Sequence, residues 1–141
     1  MSVTLDAAAE TDAFAIVIAE LIRQNLADHP EKRADLAQMQ GRVALVAEDA
    51  GTTITLRFRD GALVVHSGLF GVPDLVIRGP GEALIDLSRV PNHPRLKFLP
   101  DYRSPVARSL ARALAERKLR IHGLAGHLRL ALRLSHVLSI H

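Results

Sequence analysis

"PDLVIRGPGEALIDL", residues 73–87, decides which fold the chain takes. A short apolar run enters Gly79-Pro80-Gly81, and Ala83, Leu84 and Leu87 follow at helical spacing. Read as strand, phosphate cradle and helix, the stretch would belong to a parallel nucleotide-binding unit. The residues argue otherwise. A dinucleotide fingerprint needs a third glycine for close helix–strand packing, and Leu84 stands in that place. A P-loop closes on Gly-Lys-Ser/Thr, which the stretch lacks. The simpler reading is punctuation. Gly79 ends a strand, Pro80 brings the fixed φ of a first helical turn, and Glu82 sits where the helix dipole favours an anion.

Upstream, the pattern is that of antiparallel strands. In "RVALVAE" Val43, Leu45 and Ala47 alternate with Ala44, Val46 and Glu48. In "TITLRFRDG" Ile54, Leu56 and Phe58 share one face, while Thr55, Arg57 and Arg59 share the other. Asp60-Gly61 is a tight-turn signal, because both positions favour φ > 0, and Leu63 and Val65 continue the apolar face beyond it. "DAGT", residues 49–52, reads as the preceding turn. Leu75 and Ile77 form a fourth strand, and Leu119 and Ile121 of "LRIHG" a fifth. The second face of this sheet then carries Arg57, Arg59, His66, Arg78, Arg120 and His122 and meets water.

Helical spacing supplies the cover. Asp12 can cap a helix carrying Phe14, Val17, Ile18, Leu21, Ile22 and Leu26, which Pro30 interrupts. A short helix from Glu31 to about Gln40 precedes Gly41. "PNHPRLKFLPDYRSP", residues 91–105, holds four prolines and reads as an irregular crossing. Pro105 then opens a helix with Val106, Leu110, Ala113 and Leu114 on one face, and "GHLRLALRLSHVLSI" is a leucine-rich terminal helix. The expected class is α+β: a five-stranded, mostly antiparallel sheet with helices packed on one face.

Composition bounds the function. At 141 residues, 48% apolar and 4% aromatic, the chain suits one domain, 1–141, with an aliphatic core. The absence of cysteine removes disulfides, thiol nucleophiles and cysteine-ligated metal. No apolar run approaches the roughly 20 residues of a membrane span, and the acidic N-terminal stretch does not resemble a secretory signal, so a soluble cytoplasmic protein is expected. Charge is divided: residues 1–89 carry a net −5 and residues 90–141 a net +8. That division suggests an anionic partner on one side. Nucleic acid is not the expected one, because no aromatics interleave with Arg108, Arg112, Arg117, Lys118, Arg120, Arg129 and Arg133; Phe98 and Tyr102 lie elsewhere.

Catalytic and metal chemistry find little purchase. His122, His127, His136 and His141 have no metal-ligand spacing, Asp74 and Asp101 have no sequence-visible partner, and no Gly-x-Ser-x-Gly elbow occurs. We expect no enzyme, no cofactor and no metal. The terminal helix is the oddity. A helix covering a sheet needs an apolar arc of roughly 100°, but Leu124, Leu128, Leu130, Leu132, Leu134, Val137 and Leu138 leave only a stripe of Arg129, Arg133 and His136. A second apolar surface must touch another helix, a dimer partner, a membrane or a ligand.

The order of these elements resembles the sterol carrier protein type 2 lipid-binding domain over residues 41–90 and 117–138, through "FRDGALVV", "PDLVIRGPGEALIDL" and "KLRIHG" before the leucine-rich helix. The resemblance implies an apolar tunnel between sheet and helices, holding a fatty acyl chain, sterol or isoprenoid without reaction. On that basis Leu56, Phe58, Val65, Leu75, Ile77, Leu84 and Ile121 would line the tunnel, closed by Leu128, Leu132 and Leu138. Two features depart from the family: Arg117 stands where a glycine usually precedes the lysine, and residues 91–116 form a longer, more basic connection. The basic variant is similar to accessory lipid-binding factors of bacterial quinone biosynthesis. The implied partners are an apolar lipid, an anionic membrane touched peripherally through the basic half, and a second copy or a complex partner if the domain serves as scaffold.

Overall fold

A computed structural model describes residues 2–89 and 105–139 of the chain. Of the crossing expected over residues 91–105, all but Pro105 lies outside the described residues, with Phe98, Asp101 and Tyr102, as does the terminal His141. Strand β1 (Ser2–Leu5) leads through a 3-10 turn, Ala9–Thr11, into α1 (Ala13–Asp28) and α2 (Lys32–Gln38). Next come β2 (Gly41–Ala47), β3 (Thr52–Arg59), β4 (Ala62–Ser67), β5 (Leu75–Gly79), α3 (Gly81–Asp86) and a 3-10 turn, Leu87–Arg89. The described chain then continues with α4 (Pro105–Ala115), β6 (Arg120–His122) and α5 (Leu128–Leu138).

The α+β class stands, with more strands and more parallel pairing than the sequence indicated. One sheet of six strands runs in the order β1-β4-β3-β2-β5-β6, and β1 pairs with β4, and β5 with β2, in parallel. Four residues are too few to show an alternation, and the partner of β1 lies some sixty positions away, so no turn signal announces the pairing. Tertiary bonds hold it instead: the Arg23 guanidinium donates twice to the Val3 carbonyl, at 3.1 and 2.9 Å, and Asp6 N–H to the Val65 carbonyl at 3.0 Å.

Cross-strand rows make the buried face. Val65, Leu56, Val43 and Leu75 align across four strands, and Ile54 and Leu45 align with Ile77 and Ile121. The Asp60-Gly61 turn has φ of +52° and +78°, as the hairpin requires. Asp12 Oδ1 caps α1, accepting from Phe14 N–H at 3.1 Å and Ala15 N–H at 3.2 Å. That helix is rotated from the face expected of it. Ala15, Ile18, Ala19 and Ile22 are its buried line, whereas Val17 is 51% exposed. In the 73–87 stretch Gly79 ends β5 and Pro80 precedes α3, whose first N–H, on Gly81, is taken at 2.8 Å by Asp49 Oδ1. The loop is a capped strand-to-helix turn.

The second sheet face is not bare. Because β5 runs parallel to β4, residues 68–74 must cross back over β3 and β2, and they do so on the outer face. His66, expected to meet water, is buried there, its ring stacked on Phe70 at 3.9 Å and its Nδ1 2.5 Å from Asp6 Oδ2. That bond holds the Asp6 carboxyl below the usual aspartate range. Thr55 is also fully buried, bonded to both Gly68 and Phe70.

Where the far end of the crossing meets β6, Gly123 has φ of +90°, and a Cβ there would stand 2.1 Å from the Asp74 carbonyl oxygen. Gly51 also has positive φ, +62°, but open space around it. Urea unfolding should therefore separate the two. Gly51→Ala costs roughly 1 kcal/mol for the left-handed backbone alone, and Gly123→Ala about 3 kcal/mol because backbone overlap is added.

Candidate functional site

The sheet carries two unlike covers. Over β1, β4 and β3, α1 lies close, because Ala15 and Ala19 present no bulk. Over β5 and β6, α5 stands off the strands and rests on α1, α2 and the Leu87–Arg89 turn. The separation leaves a cavity of about 260 Å³. Its floor is Leu75, Ile77 and Ile121, its near wall Leu110 and Leu114 of α4, and its roof Leu128, Ala131, Leu132, Leu134 and Leu138 of α5. Leu87 and Leu124 also line it. Ser135 contributes a hydroxyl to an otherwise hydrocarbon wall, and no titratable side chain among the described residues joins the lining. An apolar hollow of about 150 Å³ already prefers a hydrocarbon guest to water. The rim is wet: Leu114 is 42%, Leu124 40% and Leu128 53% exposed.

The ten residues assigned to a tunnel divide between two places. Leu75, Ile77, Ile121, Leu128, Leu132 and Leu138 border the cavity. Leu56, Phe58, Val65 and Leu84 do not; they are buried in the core. Leu56, Phe58 and Val65 lie on β3 and β4, the strands that α1 covers, and Leu84 lies on α3. Residues missed at the cavity include Leu87, Leu110, Leu124 and Leu134. The inward stripe of α4 was visible at Leu110 and Leu114, but nothing in its spacing said which sheet edge it would face. Leu124, read as part of the last helix, lies in the turn before it.

A polar clamp fixes the roof. Asn25 Nδ2 donates to the carbonyls of Val137 at 3.0 Å and Leu138 at 2.7 Å, and Lys32 Nζ donates to the Ser139 carbonyl. Asp35 pairs with His136 Nδ1 on the same end. Asn25 and Lys32 are buried, and burial pushes the Lys32 ammonium below the usual lysine range. Elsewhere, His127 Nε2 lies 3.9 Å from Asp74 Oδ1, and among the described residues no three His, Cys, Asp or Glu side chains gather as a metal site.

A model of the SCP-2 sterol transfer family matches residues 18–98, more than half of the chain. The chain belongs to the SCP-2 sterol transfer family. Among solved structures, one described as a UbiJ-SCP2 ubiquinone synthesis protein is 12% identical, with a TM-score of 0.59 over 89% of this chain and 91% of that one. A crystal structure of sterol carrier protein 2 is 17% identical, with a TM-score of 0.54 over 92% and 94%. At these identities the likeness is one of fold. No curated protein matches the sequence. The SCP-2 match spans α1 from Ile18 to α3 and stops short of α4, β6 and α5, so one wall and the roof of the cavity lie outside it.

The clamp has a pH signature. With Lys32 lowered in the folded state, the unfolded chain binds more protons between that lowered value and the ordinary lysine range. Stability should therefore rise with pH across that window. In urea unfolding, Lys32→Met should flatten this rise relative to the parent chain.

Proposed function

We propose that the chain binds one long apolar lipid, a fatty acyl chain, sterol or isoprenoid, in the cavity between the β5–β6 edge and helices α4 and α5, and carries it between membranes without reacting with it. The observation behind this reading is the hydrocarbon lining around about 260 Å³, next to a wet leucine rim. Transfer of an alkyl chain from water into such a wall is worth roughly 0.8 kcal/mol per methylene. A lining with a single hydroxyl and no titratable group, among the described residues, favours holding over proton transfer. Membership of a sterol transfer family supports the same reading.

Exchange would take place at a membrane surface in the cytoplasm. No helix among the described residues is long and apolar enough to span a bilayer. Exposed Arg108, Arg112 and Arg129 supply attraction to an anionic leaflet, at about 1 kcal/mol for each well-placed cation. A second reading, an accessory subunit in quinone or other lipid synthesis acting through protein contacts, draws on the fold likeness to a ubiquinone synthesis protein. Ile16 and Val17, 41% and 51% exposed on the outer side of α1, would be its contact. A stable oligomer in sedimentation that Val17→Asp dissolves would select it.

Titration of delipidated protein with a fluorescent fatty acid tests the first reading. Saturable binding is expected, at least tenfold weaker in Leu132→Asp, which puts a carboxylate in the cavity wall. Leu56→Ala should cost about 2–5 kcal/mol of stability yet leave the affinity of the folded protein near that of the parent. Equal loss in both variants, or no saturable binding by folded parent protein, would remove the cavity from the function.

A further inference from the structure

The outer face of the sheet, opposite the cavity, carries arginines that its acids match only in part. Arg42 on β2 stands directly across from Arg57 on β3, a like-charge pairing that destabilises a sheet. Arg78 stands across from Arg120 in the same way. Acids answer only part of this: Glu48 pairs with Arg120 at 2.8 Å and Asp60 with Arg59 at 3.5 Å. Among the described residues Arg42, Arg57 and Arg78 have no carboxylate partner. Nε of both Arg42 and Arg57 is buried without a hydrogen-bond acceptor.

Across this cationic face runs the strap of residues 68–74. It is held along its length. Gly68 N–H donates to the Thr53 carbonyl at 2.7 Å, Phe70 N–H to Thr55 Oγ1 at 3.0 Å, and Asp74 N–H to the Arg42 carbonyl at 2.8 Å. Phe70 lies between the guanidiniums, with Cζ of Arg57 5.7 Å and of Arg42 6.0 Å from its ring centre. Yet the rest of the strap turns its apolar groups to water: Leu69 is 65% and Val72 81% exposed. A fixed backbone that offers leucine and valine tips above a layer of unpaired guanidiniums has the depth profile of a bilayer surface, hydrocarbon beneath phosphate.

We infer that this strap is a membrane-docking element: Leu69 and Val72 enter the acyl boundary of an anionic bilayer while Arg42, Arg57 and Arg78 take lipid phosphates. A protein partner fits less well, since a stable one takes roughly 800 Å² of each surface, and a seven-residue ridge offers a narrow contact. Because the strap is already ordered, docking loses little conformational freedom. Its far end at Asp74 abuts Gly123, and the turn beginning there carries Leu124 at the cavity rim. Docking does not depend on the cavity reading, and the two fail separately.

Flotation of the full chain with vesicles of phosphatidylcholine, alone and mixed with phosphatidylglycerol, tests it. The parent chain is expected to float with the mixed vesicles only. Leu69→Asp with Val72→Asp changes exposed side chains and leaves the fold intact; it should weaken partition at least tenfold. Arg42→Gln and Arg57→Gln should each weaken it about fivefold, equivalent to about 1 kcal/mol. Arg108→Gln with Arg112→Gln, on α4, should weaken it less than the strap variant. Fatty acid binding in solution should be unchanged in the strap variant. Parent chain that ignores mixed vesicles, or strap variants that float like the parent, would overturn the inference. So would strap variants that lose only self-association, which would assign the ridge to a protein contact.

Discussion

The carbonyls at the C-terminus of α5 set where the cavity can exist. The last turn of any helix has four such groups without intrahelical partners, and burying them unpaired is costly. Here Asn25 from α1 reaches the buried carbonyls of Val137 and Leu138, and Lys32 from α2 that of the capping Ser139. The helix is thereby tied to its helical neighbours and not to the sheet. A cation at this end also complements the helix dipole, which offsets part of the cost of burying the Lys32 ammonium. Leu130, Leu134, Val137 and Leu138 pack inward from that support. Contacts with α1 and α2 support the roof, and the β5–β6 edge lines the cavity beneath it.

The division of the sheet face follows from residue size. Where α1 presents Ala15 and Ala19, helix and strands close up, and Leu56, Phe58 and Val65 become ordinary core. Where α5 presents leucines and is held elsewhere, the strands keep Leu75, Ile77 and Ile121 facing a hollow. The same alternating pattern thus has two fates. Period-two spacing says which side of the sheet a residue faces; it carries no information on how near the covering helix comes. The leucine surplus on the last helix was the legible sign that more of its surface is apolar than a contact with the sheet requires.

Other features were legible to the degree that they are local. The Asp60-Gly61 hairpin and the Asp12 cap each depend on residues within a few positions, and each has the geometry its side chains call for. The parallel pairing of β1 with β4 does not, and neither does the strap. The course of "GLFGVPD" is not written in its own residues; the parallel course of β5 forces it across the outer face, where it shields His66 and Thr55. Lys32 was equally opaque. In a short helix of mixed polarity a lysine belongs on the wet side, and its burial follows from a carbonyl more than one hundred residues away.

The two ends of α5 are held by unlike forces, and this bears on how a ligand would reach the cavity. At the C-terminal end, displacement breaks buried bonds to Asn25 and Lys32 and the Asp35–His136 pair, leaving polar groups stranded away from water. At the N-terminal end, His127 is exposed and makes no side-chain cap, while Leu124 and Leu128 already contact water. Lifting that end exposes a little more leucine surface and strands no buried polar side chain. Local opening follows the least costly route, through the wet rim and not the clamp. Gly123, one residue before the rim's Leu124, meets the strap at Asp74. A polar clamp at one end and a leucine rim at the other therefore give the roof a direction in which it yields, without any change to the sheet below.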